Sequence, residues 1–170
     1  HAEEFFKATV GVDMKPIHQR FLAGLQPQAN ILDAGCGSGR DAKAFADAGF
    51  EVSAFDASEE LAALATAHCG FEVAVRRFDD VTEEARYDGI WCCASLLHVP
   101  ANHLPETLGK LWRALRPGGR LYVSFKHGTG ERIRGERLFT DADEATVRQW
   151  FSNLVEMQDL SVWLTTDQRP

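Results

Sequence analysis

Ile31-Leu32-Asp33-Ala34-Gly35-Cys36-Gly37-Ser38-Gly39-Arg40 decides the fold: an apolar run closed by an acid passes straight into three alternating glycines. The run reads as a buried strand, and the glycines allow a sharp turn and a close backbone approach that a Cβ would prevent. Beyond the glycines the chain keeps helical spacing to about residue 48, where Gly49 supplies a left-handed terminus. Strand, glycine loop and helix in that order make a βα unit whose loop is built to hold a ligand. A second short strand, 51–55, then ends in Phe55-Asp56-Ala57-Ser58, about 20 residues beyond the first acid. Asp56 stands where a carboxylate accepts hydrogen bonds from ribose hydroxyls, and Ser58 with Glu59 and Glu60 opens the next helix as a cap and first-turn acids.

Outward from this unit, apolar runs and helix-patterned stretches keep alternating. Strands are expected at 29–33, 51–55, 72–77, 88–94, 119–125 and 158–164, and helices at 13–25, 39–48, 58–68, 102–115 and 142–152. That alternation predicts an α/β fold, doubly wound, with a mostly parallel sheet and helices on both faces. Leu115-Arg116-Pro117-Gly118-Gly119 ends a helix and turns the chain into the fifth strand. The stretch 126–140, KHGTGERIRGERLFT, reads as a long irregular loop with excess positive charge.

The whole chain fits one domain: 170 residues, 45% hydrophobic, net charge −7. The acidic balance argues against nucleic-acid and membrane-surface partners, since phosphate binding needs a basic face. The four cysteines, Cys36, Cys69, Cys92 and Cys93, form no C-x-x-C pair and no zinc-ligand spacing, so no metal site is expected and a reducing cytoplasm is. Cys92 and Cys93, adjacent on a strand, are expected in the core, as are Trp91 and Trp163. No apolar run approaches the roughly 18 residues of a membrane span.

Two nucleoside ligands compete for the glycine loop. A dinucleotide loop wants a third glycine at position 40, where this chain has Arg40, and Asp33 would repel a diphosphate while favouring a cation. The pattern D-x-G-x-G-x-G closely resembles motif I of the class I S-adenosylmethionine-dependent methyltransferases. Tyr87-Asp88-Gly89-Ile90-Trp91 and 115–119 resemble that family's fourth-strand entry and its turn into the fifth. The resemblance runs over about 29–165, with 1–28 as an N-terminal helical lid to which Phe5 and Phe6 belong.

It implies a Rossmann-like core and S-adenosylmethionine as cofactor. Asp33, Gly35, Cys36 and Gly37 would line the methionine part, Asp56 would hold the ribose and Ala57 would lie by the adenine. Asp79, with Asp80 its rival, would accept from the adenine amino group, and Ala94 and Ser95 would flank the methionine end. The segment 94–100, ASLLHVP, lacks the Asn/Asp-Pro-Pro-aromatic motif of base- and amide-methylating members, so the acceptor is expected to be a small molecule. Within it His98 is the candidate general base, and Arg132 and Arg134 of the 126–140 stretch, beside Lys126 and Arg137, are candidates for holding an anionic substrate. The compact bacterial tellurite-resistance-like group looks most similar. The family's usual reversed final strand has no evident counterpart before Pro170. A non-catalytic cofactor-binding module and a nicotinamide-dependent oxidoreductase remain the alternatives, the latter disfavoured by the absence of a Tyr-x-x-x-Lys pair.

Overall fold

A computed structural model describes residues 1–167. Five parallel strands stand in the order β3-β2-β1-β4-β5: β1 Asn30–Ala34, β2 Glu51–Asp56, β3 Ala74–Val75, β4 Tyr87–Cys92 and β5 Leu115–Val123. The helices are α1 Ala2–Thr9, α2 Lys15–Leu22, α3 Arg40–Asp47, α4 Glu59–Cys69, α5 Leu104–Ala114 and α6 Glu144–Phe151. A separate antiparallel hairpin joins β6, Glu131–Arg134, to β7, Arg137–Thr140.

The winding positions the site. From β1 the chain steps outward through β2 to β3, then returns across the sheet to place β4 on the other side of β1. The crossovers on the two sides diverge, so a crevice opens above the carboxyl ends of β1 and β4. Register aligns Asp33 with Trp91 and Leu32 with Ile90, which sets the glycine loop beside residues 93–95.

Both sheet faces are filled. Trp91 is fully buried, stacked on Tyr122 at 4.0 Å between ring centroids and edged by Phe21, Phe45 and His18. The other face packs Leu32, Phe55, Ile90, Leu104, Leu108 and Leu111. Ser58 caps α4 by accepting the Leu61 N–H at 3.2 Å, and Gly70 closes that helix in the left-handed region.

Four expectations are corrected. The third strand shrinks from 72–77 to two residues, because it lies at the sheet edge where only Phe55 and Asp56 pair with it. Among the described residues no strand forms at 158–164; its alternation of apolar side chains marks a half-buried extended segment, whose Ser161 accepts from Arg20 at 2.8 Å. Trp163 there is partly exposed under the Arg20 guanidinium rather than packed in the core. The stretch 126–140 is not irregular: Gly135 at φ +62° closes the β6–β7 hairpin, and charged side chains masked its strand pattern.

Candidate functional site

The crevice is a cavity of about 1300 Å³ over the carboxyl ends of β1, β2, β4 and β5, closed on one side by α1 and the approach to α2. Gly35 and Gly37 form its floor at φ +73° and +57°. A Cβ on Gly35 would lie 2.5 Å from that of Ser95, and one on Gly37 would lie 3.0 Å from the Phe5 ring. These positions require glycine for space as well as for backbone conformation.

Asp33 lies at the end of β1 beneath this loop, 2% exposed. Its Oδ2 is the one fully buried side-chain polar atom among the described residues that has no hydrogen-bond partner. Burial, and then the negative charge of nearby Asp41, raises its carboxyl well above the ordinary range. An orphaned acid held in a cavity wall is a receptor for a cation or a donor.

Asp56 serves the loop as well as the cavity. Its Oδ2 accepts the Gly37 N–H at 2.8 Å and its Oδ1 the Ser58 N–H at 2.9 Å, tying the end of β2 to the glycine turn and to the start of α4. Ala57 lies next to it on the wall, with Leu61, Phe78 and Leu97 making the apolar surface beyond. Asp79 reaches the far end, exposed and paired with Lys110 at 3.3 Å. Asp80 turns away: its carboxylate accepts the Arg77 N–H at 2.8 Å and caps the short helical turn Phe78–Asp80, so of the two rivals only Asp79 lines the cavity.

After β4 the chain bends through Ala94 at φ +50°, whose N–H is held by Ser124 Oγ at 2.8 Å. Ser95 donates to the Ala34 carbonyl at 2.7 Å and so clamps the strand end against the glycine loop. His98, on the turn Leu96–His98, has Nδ1 2.8 Å from the Leu138 carbonyl. A carbonyl only accepts, so Nδ1 carries the proton and Nε2 keeps its lone pair. Burial, opposed by that hydrogen bond and aided by the charge of Arg137, lowers the His98 pKa from 6.5. The ring is therefore neutral at pH 7, a base facing the cavity.

Comparison with known proteins identifies the family. A family profile described as a methyltransferase domain matches residues 6–162. The chain belongs to the methyltransferase-domain family. It is 32% identical over 153 residues to the ubiquinone biosynthesis O-methyltransferase of Xanthomonas campestris, covering 82% of this chain and 62% of that protein. With the enzyme of the same name from Xylella fastidiosa it shares 36% identity over 103 residues, 56% of this chain and 41% of that one. The chain thus spans about half the length of these curated relatives. Among solved structures, the 1,6-didemethyltoxoflavin-N1-methyltransferase of Burkholderia thailandensis, with 1,6-didemethyltoxoflavin and S-adenosylhomocysteine bound, aligns with a TM-score of 0.71 at 26% identity over 88% of this chain and 68% of that one.

In this methyltransferase domain, then, Asp33, Gly35, Cys36, Gly37, Asp56, Ala57, Asp79, Ala94, Ser95 and His98 all line one cavity. Arg132 and Arg134 do not. Arg132 is bound to Asp141 through two contacts of 2.6 and 3.1 Å, and both arginines lie on β6, the hairpin strand farther from the cavity. Arg137, on β7, lines it instead. Cys93, half-buried against the core as expected, also lines it, its thiol pushed up to about 12 by burial and then by the charge of Asp41. Cys36 is likewise raised by burial and by Asp33, so neither thiol is a nucleophile at neutral pH.

The residue that sequence reasoning missed is Asp41. It accepts from His18 at 2.8 Å, from Arg40 at 2.8 and 2.7 Å and from the Trp91 indole at 2.9 Å. Burial would raise its pKa, but the His18 and Arg40 hydrogen bonds outweigh burial and hold it at about 2. An acid in the first turn of a helix ordinarily faces water, and nothing local in the sequence distinguishes this one.

Proposed function

We propose that the chain transfers a methyl group from S-adenosylmethionine to a nucleophile on a small molecule by direct in-line displacement. The observation that carries this reading is the orphaned Asp33 Oδ2 beneath a glycine cradle that a Cβ would fill. A buried acid raised by its surroundings suits an ammonium or sulfonium and disfavours a diphosphate. Asp33, Gly35, Cys36 and Gly37 would hold the methionine portion, with Ala94 and Ser95 beside it. Asp56 would hold the ribose, Ala57 would border the adenine and Asp79 would accept from its amino group.

When bound, the cofactor would supply a sulfonium methyl open to in-line attack at carbon, the thioether leaving with the S–C electron pair. The protein's part is mainly placement, which is worth roughly 7–11 kcal/mol of a barrier when reacting groups are well aligned. Where the nucleophile carries a proton, His98 Nε2 would accept it, leaving an imidazolium that Nδ1 still anchors to Leu138. The small-molecule acceptor is supported by the substrates named for the relatives. It is supported too by the acidic net charge, which disfavours a polyanion. These relatives lend nothing to a tellurite-resistance-like grouping. No helix among the described residues is long and apolar enough to cross a membrane. The four free thiols favour a reducing, cytoplasmic setting.

Release of S-adenosylhomocysteine on incubation with S-adenosylmethionine and a panel of phenols, thiols, amines and carboxylates tests this reading. Acceptor-dependent release is expected. Saturable binding of the cofactor with no release from any acceptor would favour a non-catalytic module, and binding of NAD alone would favour an oxidoreductase.

A further inference from the structure

The cations of the cavity and the hairpin differ in what they are paired with. Arg132 is held by Asp141, Lys126 by Asp167, Arg40 by Asp41 and Arg76 by Glu83. Arg77 and Arg137 both line the cavity with no carboxylate within ion-pair distance among the described residues; Arg77 stands two residues from Asp79, and it is the charge of Arg137 that reaches His98. Its guanidinium lies 5.8 Å from the centre of the Phe5 ring, which in turn covers Gly37. On the other side, Phe139 stands edge-on to His98 at 4.8 Å. One chamber is thus bounded by two phenyl rings, a neutral imidazole with a free lone pair and a guanidinium without a counter-ion. Rings take a flat apolar body, and a guanidinium binds a carboxylate through two parallel hydrogen bonds.

We propose that this chamber is the acceptor subsite and that it selects a planar aromatic acceptor bearing a carboxylate, with Arg137 as the specificity-determining residue. The proposal rests on the methyltransferase reading and deepens it. The carboxylate on Arg137 anchors the acceptor at the cavity mouth, and the ring between Phe5 and Phe139 directs a hydroxyl or amine on its far side toward His98. Glu136 lines the same mouth and disfavours an anion that is not seated on the guanidinium.

The test uses the whole chain saturated with S-adenosylhomocysteine and two probes of equal size, benzoate and benzyl alcohol, followed by ligand-observed NMR titration. Benzoate is expected to bind about tenfold more tightly than benzyl alcohol, as a charge-assisted pair provides. Arg137→Gln should erase that preference, Arg137→Lys should keep part of it, and Arg113→Gln, exposed and outside the cavity, should leave it intact. Equal binding of the two probes to the unaltered protein would overturn the proposal without any variant. So would a preference that survives Arg137→Gln. A loss of S-adenosylhomocysteine affinity in Arg137→Gln as large as the loss for benzoate would overturn it by assigning the cation to the nucleoside's own carboxylate. Failure of the unaltered protein to bind S-adenosylhomocysteine would instead remove the methyltransferase reading beneath it.

Discussion

Asp33 carries an unmet hydrogen-bonding demand that the proposed cofactor would satisfy. Its carboxyl is raised by burial and by Asp41, so the ligand-free protein holds a proton there at pH values where an ordinary carboxylate has lost it. A cation beside Oδ2 favours the ionised form. Cofactor binding should therefore release a proton, and affinity should rise with pH from the ordinary carboxylate range up to the raised pKa. Calorimetry in two buffers of different ionisation enthalpy reads that proton directly, and Asp33→Asn should abolish it. The same raised pKa means that ionised Asp33 destabilises the ligand-free fold above the unfolded-state pKa. Asp33→Asn should thus raise the Tm of the ligand-free protein while weakening its binding. At His98 the shift runs the other way. Its pKa is lowered below 6.5, chiefly by burial, so turnover should climb as pH rises through that lowered value and then level off. His98→Ala should reduce turnover by about a hundredfold or more and flatten the profile; full retention would assign His98 to structure.

The glycine loop and the buried Asp41 junction hold the site together. Gly35→Ala would force a Cβ to 2.5 Å from that of Ser95 at a backbone angle that costs about 1–3 kcal/mol for a residue other than glycine. A Tm fall with loss of cofactor binding is expected, and an unchanged protein would refute the cradle geometry. Asp41→Ala would leave His18 and the Trp91 indole without an acceptor, and Arg40 with the Cys93 Sγ at 3.7 Å, where α2, α3 and β4 meet. Losing one partner of such a buried cluster costs about 3–5 kcal/mol, against about 0.2–1 kcal/mol for an exposed pair such as Lys43–Asp47. Chemical denaturation of Asp41→Ala and Asp47→Ala should show that contrast. Because Asp41 is held at about 2, its contribution is present above the ordinary carboxylate range and is lost only as pH falls toward 2. None of this junction was legible in the sequence, since its members lie 23 and 50 residues apart and each has an ordinary local reading. Asp33 and Asp56 were legible because a strand end followed by glycines fixes where its acid points. The hairpin was hidden by charge, and the segment at 158–164 showed that a period-two pattern reports half-burial rather than pairing.

The doubly wound sheet explains why so much of the site was readable at a distance. Parallel strands buried on both faces are continuous apolar runs, and their order puts every carboxyl end on one rim. Residues at the strand ends on that rim line one cavity, whereas Arg132, Arg134 and Arg137, lying outside the sheet, could not be ranked until the hairpin showed which strand faces the cavity. The fold and its rim are shared by proteins of many activities, so the proposed acceptor rests on the chamber by His98. The most direct test is a titration of the unaltered protein and Asp33→Asn with S-adenosylhomocysteine, with NAD as the competing nucleoside. Saturable S-adenosylhomocysteine binding that Asp33→Asn weakens by about tenfold or more is expected, with NAD failing to compete. Tighter binding of NAD, or an affinity for S-adenosylhomocysteine indifferent to Asp33, would contradict the account.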